Sequence, residues 1–177
     1  MTPMKFLALT AFFFSLPAFS SSANATNILL RNAKAICQGV AAAESSSPFG
    51  CQNTRGDALS ICEGVASATS SSPFGCSQQK GDALVICEGW GSAVSSSPFG
   101  CSQLSGAALA ICQGVAAATS NNNPFGCSQL KGDALAICQG MAAATSVFGC
   151  AHVTGPALLL CRGLATARSA TGSCDGL

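Results

Sequence analysis

Apolar residues recur at three- and four-residue steps along most of the chain, and the pattern restarts about every 25 residues. In one such stretch Leu59, Cys62, Val65 and Ala66 share a helical face, while Ser60, Glu63, Ser67 and Ser70 form the opposite, polar stripe. The spacing predicts a helix of about 12–14 residues, closed by a serine run and a Pro-Phe-Gly turn. Asn32, Asp57, Asp82 and Asp133 stand just before the apolar residues of their units. Their short acceptor side chains suit them to cap free N–H groups at a helix start. Pro156 takes the same place in the last unit, where a first-turn proline is tolerated.

The restarts are copies of one unit. Ile-Cys-x-Gly begins at Ile36, Ile61, Ile86, Ile111 and Ile137, and a sixth copy reads Leu160-Cys161-Arg162-Gly163, at steps of 25, 25, 25, 26 and 23 residues. Pro-Phe-Gly-Cys follows from Pro48, Pro73, Pro98 and Pro124, the fifth unit has Val147-Phe148-Gly149-Cys150, and the last ends at Cys174. Each helix carries an interior glycine: Gly39, Gly64, Gly89, Gly114, Gly140 and Gly163. A helical glycine costs about 1 kcal/mol relative to alanine, so its return in every unit points to close approach of a neighbour. One short helix with few large side chains cannot bury a core, whereas stacked copies can.

The expected fold is therefore all-α: a short-helix solenoid of six ~25-residue disulfide-stapled repeats. As an open array with helices 8–10 Å apart it would make a rod roughly 50 Å long. Phe49, Phe74, Phe99, Phe125 and Phe148 would then stack as a buried ladder. An all-β repeat is the rival, and Ala, Leu, Gln and Glu at helical period argue against it.

Residues 1–25 differ from the repeats and read as a signal peptide: Lys5, then an apolar stretch from Phe6 to Phe19, then the small-x-small sequence Ala23-Asn24-Ala25. The apolar run falls short of the ~20 residues a membrane-spanning helix needs, and Pro17 interrupts it. Two segments follow, a signal peptide at 1–25 and a six-repeat, Cys-rich helical array at 26–177. Cleavage after Ala25 would also split the Asn24-Ala25-Thr26 glycosylation sequon. The expected localisation is secreted or periplasmic.

An oxidising compartment turns the 12 cysteines into a pairing problem. Helix Cys to the following loop Cys is 14, 14, 14, 15, 12 and 13 residues, while loop Cys to the next helix Cys is always 11. Pairing within each unit gives Cys37–Cys51, Cys62–Cys76, Cys87–Cys101, Cys112–Cys127, Cys138–Cys150 and Cys161–Cys174. Pairing forward across 11 residues leaves Cys37 and Cys174 over. The constant spacing favours the forward scheme, and complete local use of all 12 favours the first. The last unit keeps Cys174 although it has lost Pro-Phe-Gly, which tips the sequence reading to the first. No close C-x2-C pair suits a metal or iron–sulfur cluster, so neither metal nor cofactor is expected.

Composition narrows function mainly by exclusion. Only 8% of residues are charged, and 8 Lys and Arg oppose 7 Asp and Glu. Such a chain lacks the basic stripe that nucleic-acid binding requires. No catalytic residues emerge. Glu63 and Glu88 share a repeat position with Gln38, Gln113, Gln139 and Arg162, and the lone His152 sits in a loop. No nucleophile elbow or phosphate loop appears. The reading is a non-enzymatic binding or structural protein, with an unknown protein or surface ligand as partner and no stable membrane insertion of the mature chain. Two rivals are an ice-binding or surface-active protein and a secreted toxin or antimicrobial. Against the first, Thr69, Thr119 and Thr145 align with Glu44, Val94 and Arg168. Against the second stands the near-zero charge.

Overall fold

The computed structural model describes residues 22–45, 50–70, 75–95, 100–120, 126–145, 149–169 and 173–177. The apolar stretch around Phe6–Phe19 and the five turn phenylalanines lie outside the described residues. Seven helices follow one another: α1 (Ser22–Arg31), α2 (Ala33–Glu44), α3 (Asp57–Thr69), α4 (Gly81–Val94), α5 (Gly106–Thr119), α6 (Gly132–Thr145) and α7 (Gly155–Ala167). Helices α2–α7 are the six repeat helices, 12 to 14 residues long as their spacing predicts. No strand occurs among the described residues.

Each repeat helix packs on the next through its glycine. A Cβ on Gly39 would lie 2.8 Å from the Ala58 carbonyl oxygen and 2.7 Å from Ile61 Cβ. The same contact joins Gly64 to Ala83 and Ile86, Gly89 to Ala108 and Ile111, Gly114 to Ala134 and Ile137, and Gly140 to Ala157 and Leu160. Without a side chain there, the isoleucine of one helix sits directly on the backbone of the previous one. The sequence argument for close approach thus holds at every interface.

The array does not end as a rod. Gly163 of α7 makes the same contact with Ala33 and Ile36 of α2, at the same 2.7–2.8 Å. The six helices therefore close into a ring, with α7 packed on α2. A head-to-tail interface repeated with a fixed rotation either winds on or closes, and here about 60° per step brings the sixth copy back to the first. This corrects the expectation of an open rod of about 50 Å. Contacts advance in the same direction along neighbouring helices, Gly64 meeting Ala83 and Ile86 and Ala68 meeting Gly91 further on, so the six helices run parallel around a shared lumen.

Closure also corrects the disulfides. Loop cysteines pair forward across 11 residues: Cys51–Cys62, Cys76–Cys87, Cys101–Cys112, Cys127–Cys138 and Cys150–Cys161. Cys37 and Cys174, which a linear array would strand, pair with each other across 137 residues of sequence. In a ring Cys174 is simply the loop cysteine that precedes the first helix. One rule then serves all six pairs, and no cysteine is free.

Two local expectations shift by a position or two. Asn32 caps α2, its Oδ1 accepting from the Ala35 N–H at 3.1 Å. Asp57, Asp82 and Asp133 lie inside the first turns of α3, α4 and α6 instead of ahead of them. There they face the positive end of the helix dipole. The chain enters these helices through glycines with positive φ, such as Gly56 at +56° and Gly132 at +55°, a conformation that side chains disfavour. The buried face of α3 is Ala58, Ile61, Cys62, Gly64 and Val65, with Leu59 only partly covered. A helix in a ring has a neighbour on either side and a lumen behind it, so its apolar face is set by those flanks.

Candidate functional site

Closure of the six helices encloses a lumen. In six-fold packing the distance from the ring centre to a helix axis equals the helix spacing, about 8–10 Å. That leaves room for side chains and little more. The residue after each helix glycine points inward: Val40, Val65, Trp90, Val115, Met141 and Leu164, all buried. Trp90, Met141 and Leu164 replace valine on this inner belt, so the lumen is filled unevenly. Trp90 is 6% exposed, which places it in the core, as its repeat position suggests.

Helix α1 covers one mouth. It contacts all six repeat helices. Its C-terminal end leads directly into the Asn32 cap of α2. At its other end the Asn24 side-chain amide donates to the Asp82 carboxylate in the first turn of α4, at 2.7 Å. Both ends of α1 thus lie at the end of the ring where the repeat helices start, and the helix spans that mouth. Asn24, Asn27 and Arg31 recur at helical spacing on its outer side. Ala25, Thr26, Ile28, Leu29 and Leu30 are buried against the ring. Sequence reasoning assigned Ser22–Ala25 to a cleaved segment and missed this helix. The available sign was Asn24-x-x-Asn27 and Arg31 alternating with Ala25, Ile28 and Leu29.

The opposite mouth opens on a cavity of about 200 Å³ lined by Trp90, Val94, Val115, Ala118, Met141 and neighbouring polar residues. Its polar neighbours are already engaged. Thr119 Oγ1 donates to the Val115 carbonyl at 2.9 Å, and Thr145 Oγ1 to the Ala142 carbonyl at 3.1 Å. Arg168 grips Glu44 with two nitrogens, Nη2 at 2.8 Å and Nε at 3.2 Å from Oε1. The wall that faces the cavity is mostly apolar, with Thr119, Thr145 and Arg168 as its polar members.

The Glu44–Arg168 pair also explains the broken threonine register. Glu44, Thr69, Val94, Thr119, Thr145 and Arg168 are equivalent positions, and the two charged ones meet only because α2 adjoins α7. The seam between the first and last units carries three links of its own: Lys34–Asp175 at 3.6 Å, the Cys37–Cys174 disulfide, and Glu44–Arg168. Both ion pairs are exposed enough that each contributes little, roughly 0–1 kcal/mol. Their value lies in marking which two helices must meet.

The remaining sequence candidates lie apart from the lumen. Gln38, Glu88, Gln113, Gln139 and Arg162 are exposed, with Glu63 half-buried. They follow the helix cysteines around the outside of the ring. His152 is exposed and borders an outer groove with Gln139 and Val153. Among the described residues no group of three His, Cys, Asp or Glu is placed to hold a metal ion. Comparison with protein-family models, curated proteins and solved structures finds no match to the chain.

Proposed function

We propose that this is a secreted or periplasmic, disulfide-stabilised binding protein with no catalytic role, and that its lumen takes up small neutral apolar molecules. The observation that carries the reading is the cavity of about 200 Å³ walled by Trp90, Val115, Ala118 and Met141. The hydroxyls of Thr119 and Thr145 and two nitrogens of Arg168 are bound within the protein, so most of the wall offers apolar contact. Apolar cavities of about 150 Å³ stay dry and accept benzene-sized molecules. Complete cysteine pairing supports export, because such bonds persist in oxidising compartments.

The rival readings draw less support. The hydroxyls of Thr69, Thr119 and Thr145 turn back onto their own helix carbonyls around a circular mouth. A flat hydroxyl array for ice is not what this geometry offers. Among the described residues no helix is long and apolar enough to cross a membrane.

Trp90 is the only tryptophan and lines the cavity, so its emission reports occupancy. Iodobenzene, a heavy-atom quencher of suitable size, is expected to quench it saturably, half-complete below about 1 mM, equivalent to about 4 kcal/mol of binding. Ala118→Phe, which fills the cavity without adding a second tryptophan, should abolish the saturable phase of the quenching. Quenching that rises linearly, with no plateau and no effect of the substitution, would sink the proposal.

A further inference from the structure

The cavity is bordered by a buried donor that the protein leaves unused. We infer that the indole N–H of Trp90 donates a hydrogen bond to the ligand. The lumen then takes a small neutral molecule with a ketone or ester carbonyl on an apolar body. The inference rests on the proposed uptake of apolar molecules and adds the chemistry of the head group.

Trp90 is 6% exposed, and a tryptophan so buried usually finds a partner for its N–H. This one has no acceptor among the described residues. Yet among those residues no side-chain nitrogen or oxygen sealed in the interior lacks a partner. The indole nitrogen therefore opens on free space. The space beside it is the cavity of about 200 Å³ that Trp90 lines with Val115, Ala118 and Met141. The other five units carry Val, Met or Leu at this position, none of which brings a donor. A buried donor without an acceptor is costly, so a ligand oxygen that meets it adds to the apolar contact.

The surroundings select a neutral oxygen. A carboxylate would shed its water in a mostly apolar space and gain one uncharged donor in return. Arg168, the cation of the wall, is already paired with Glu44 at 2.8 Å. Val94, Thr119 and Thr145, which line the same mouth, are the last residues of α4, α5 and α6. Helix C-termini carry partial negative charge, which opposes an anion further. The hydroxyl protons of Thr119 and Thr145 are held by their own helix carbonyls, so Trp90 is the better-placed donor.

NMR titration of the folded protein with acetophenone and with ethylbenzene, a hydrocarbon of similar size, tests the inference. Trp90 is the only tryptophan, so the protein gives a single indole N–H signal. Acetophenone is expected to move that proton downfield to a plateau, and ethylbenzene to bind without this shift. Affinities are read in parallel from the Met141 methyl signal beside the cavity. Trp90→Phe reshapes the wall for both ligands and removes the donor. The ratio of acetophenone to ethylbenzene affinity should then fall about fivefold, the worth of one net hydrogen bond. Phenylacetate, a carboxylate of matching size, should bind more weakly than acetophenone. An unchanged ratio, no downfield shift with acetophenone, or tighter binding of phenylacetate overturns the inference and leaves the uptake of apolar molecules intact. Failure of both acetophenone and ethylbenzene to bind overturns the inference together with the reading of the lumen.

Discussion

Replacing Cys37 and Cys174 together by alanine is expected to destabilise the protein more than removing any other disulfide. Five disulfides each close a stretch of 11 residues, whereas Cys37–Cys174 spans 137. In the chain-entropy account an 11-residue closure is worth about 3 kcal/mol and the long one about 5 kcal/mol. The five short bonds act as shortcuts and shrink the long loop, which lowers its value only logarithmically. The Cys76→Ala, Cys87→Ala double variant is the matched control, because Cys37 and Cys87 are both fully buried. The excess of about 2 kcal/mol should lower Tm by a further 4–8 °C or so. Equal Tm losses in the two variants would mean that the seam is not closed in the folded protein.

The second large effect is at the helix glycines, and its sign reverses between two positions inside the helices. A Cβ on Gly114 would stand 2.8 Å from the Ala134 carbonyl oxygen and 2.7 Å from Ile137 Cβ. Backbone cannot swing aside as a flexible side chain can. Gly114→Leu should therefore cost about 3 kcal/mol, at the top of the usual range for overpacking. Gly91, also inside a helix, meets nothing closer than Ala68 at 3.7 Å, and the other five units carry alanine at its position. Gly91→Ala should stabilise by about 0.4–1 kcal/mol through helix propensity and the unfolded chain. Thermal melts of the two variants check both signs. Destabilisation by Gly91→Ala, or a neutral Gly114→Leu, would contradict the packing.

What the sequence disclosed and what it hid divide along one physical line. Helices, their lengths and the reason for Gly39 and its copies depend on one unit and its nearest neighbour, and the repeat made those contacts visible. Ring closure depends on the sum of six small rotations, which no single repeat displays. The pairing of Cys37 with Cys174 was hidden for the same reason. The constant spacing of 11 was the correct clue, and it was outweighed only because a linear array leaves Cys174 without a partner. Glu44 and Arg168, the two charged residues at a threonine position, were a second sign that the ends meet. Helix α1 was missed because it stands outside the repeat and straddles the expected cut after Ala25, and its buried face exists only once the ring is formed. The lumen cavity follows from closure, so it could not be located before closure was known.

The closed ring is tested most directly by tryptic digestion of the denatured, unreduced protein. Cleavage at Arg31, Lys34, Arg55, Lys80, Lys131, Arg162 and Arg168 leaves five cysteine-bearing peptides: 35–55, 56–80, 81–131, 132–162 and 169–177. The ring's disulfides join all five into one covalent species, with 169–177 attached to 35–55 through Cys174 and Cys37. Mass spectrometry should find that single species, resolved into five peptides on reduction. Free 35–55, 56–80 and 81–131, with 169–177 attached to 132–162 instead, would show cysteines paired within each unit and an array whose ends are not joined.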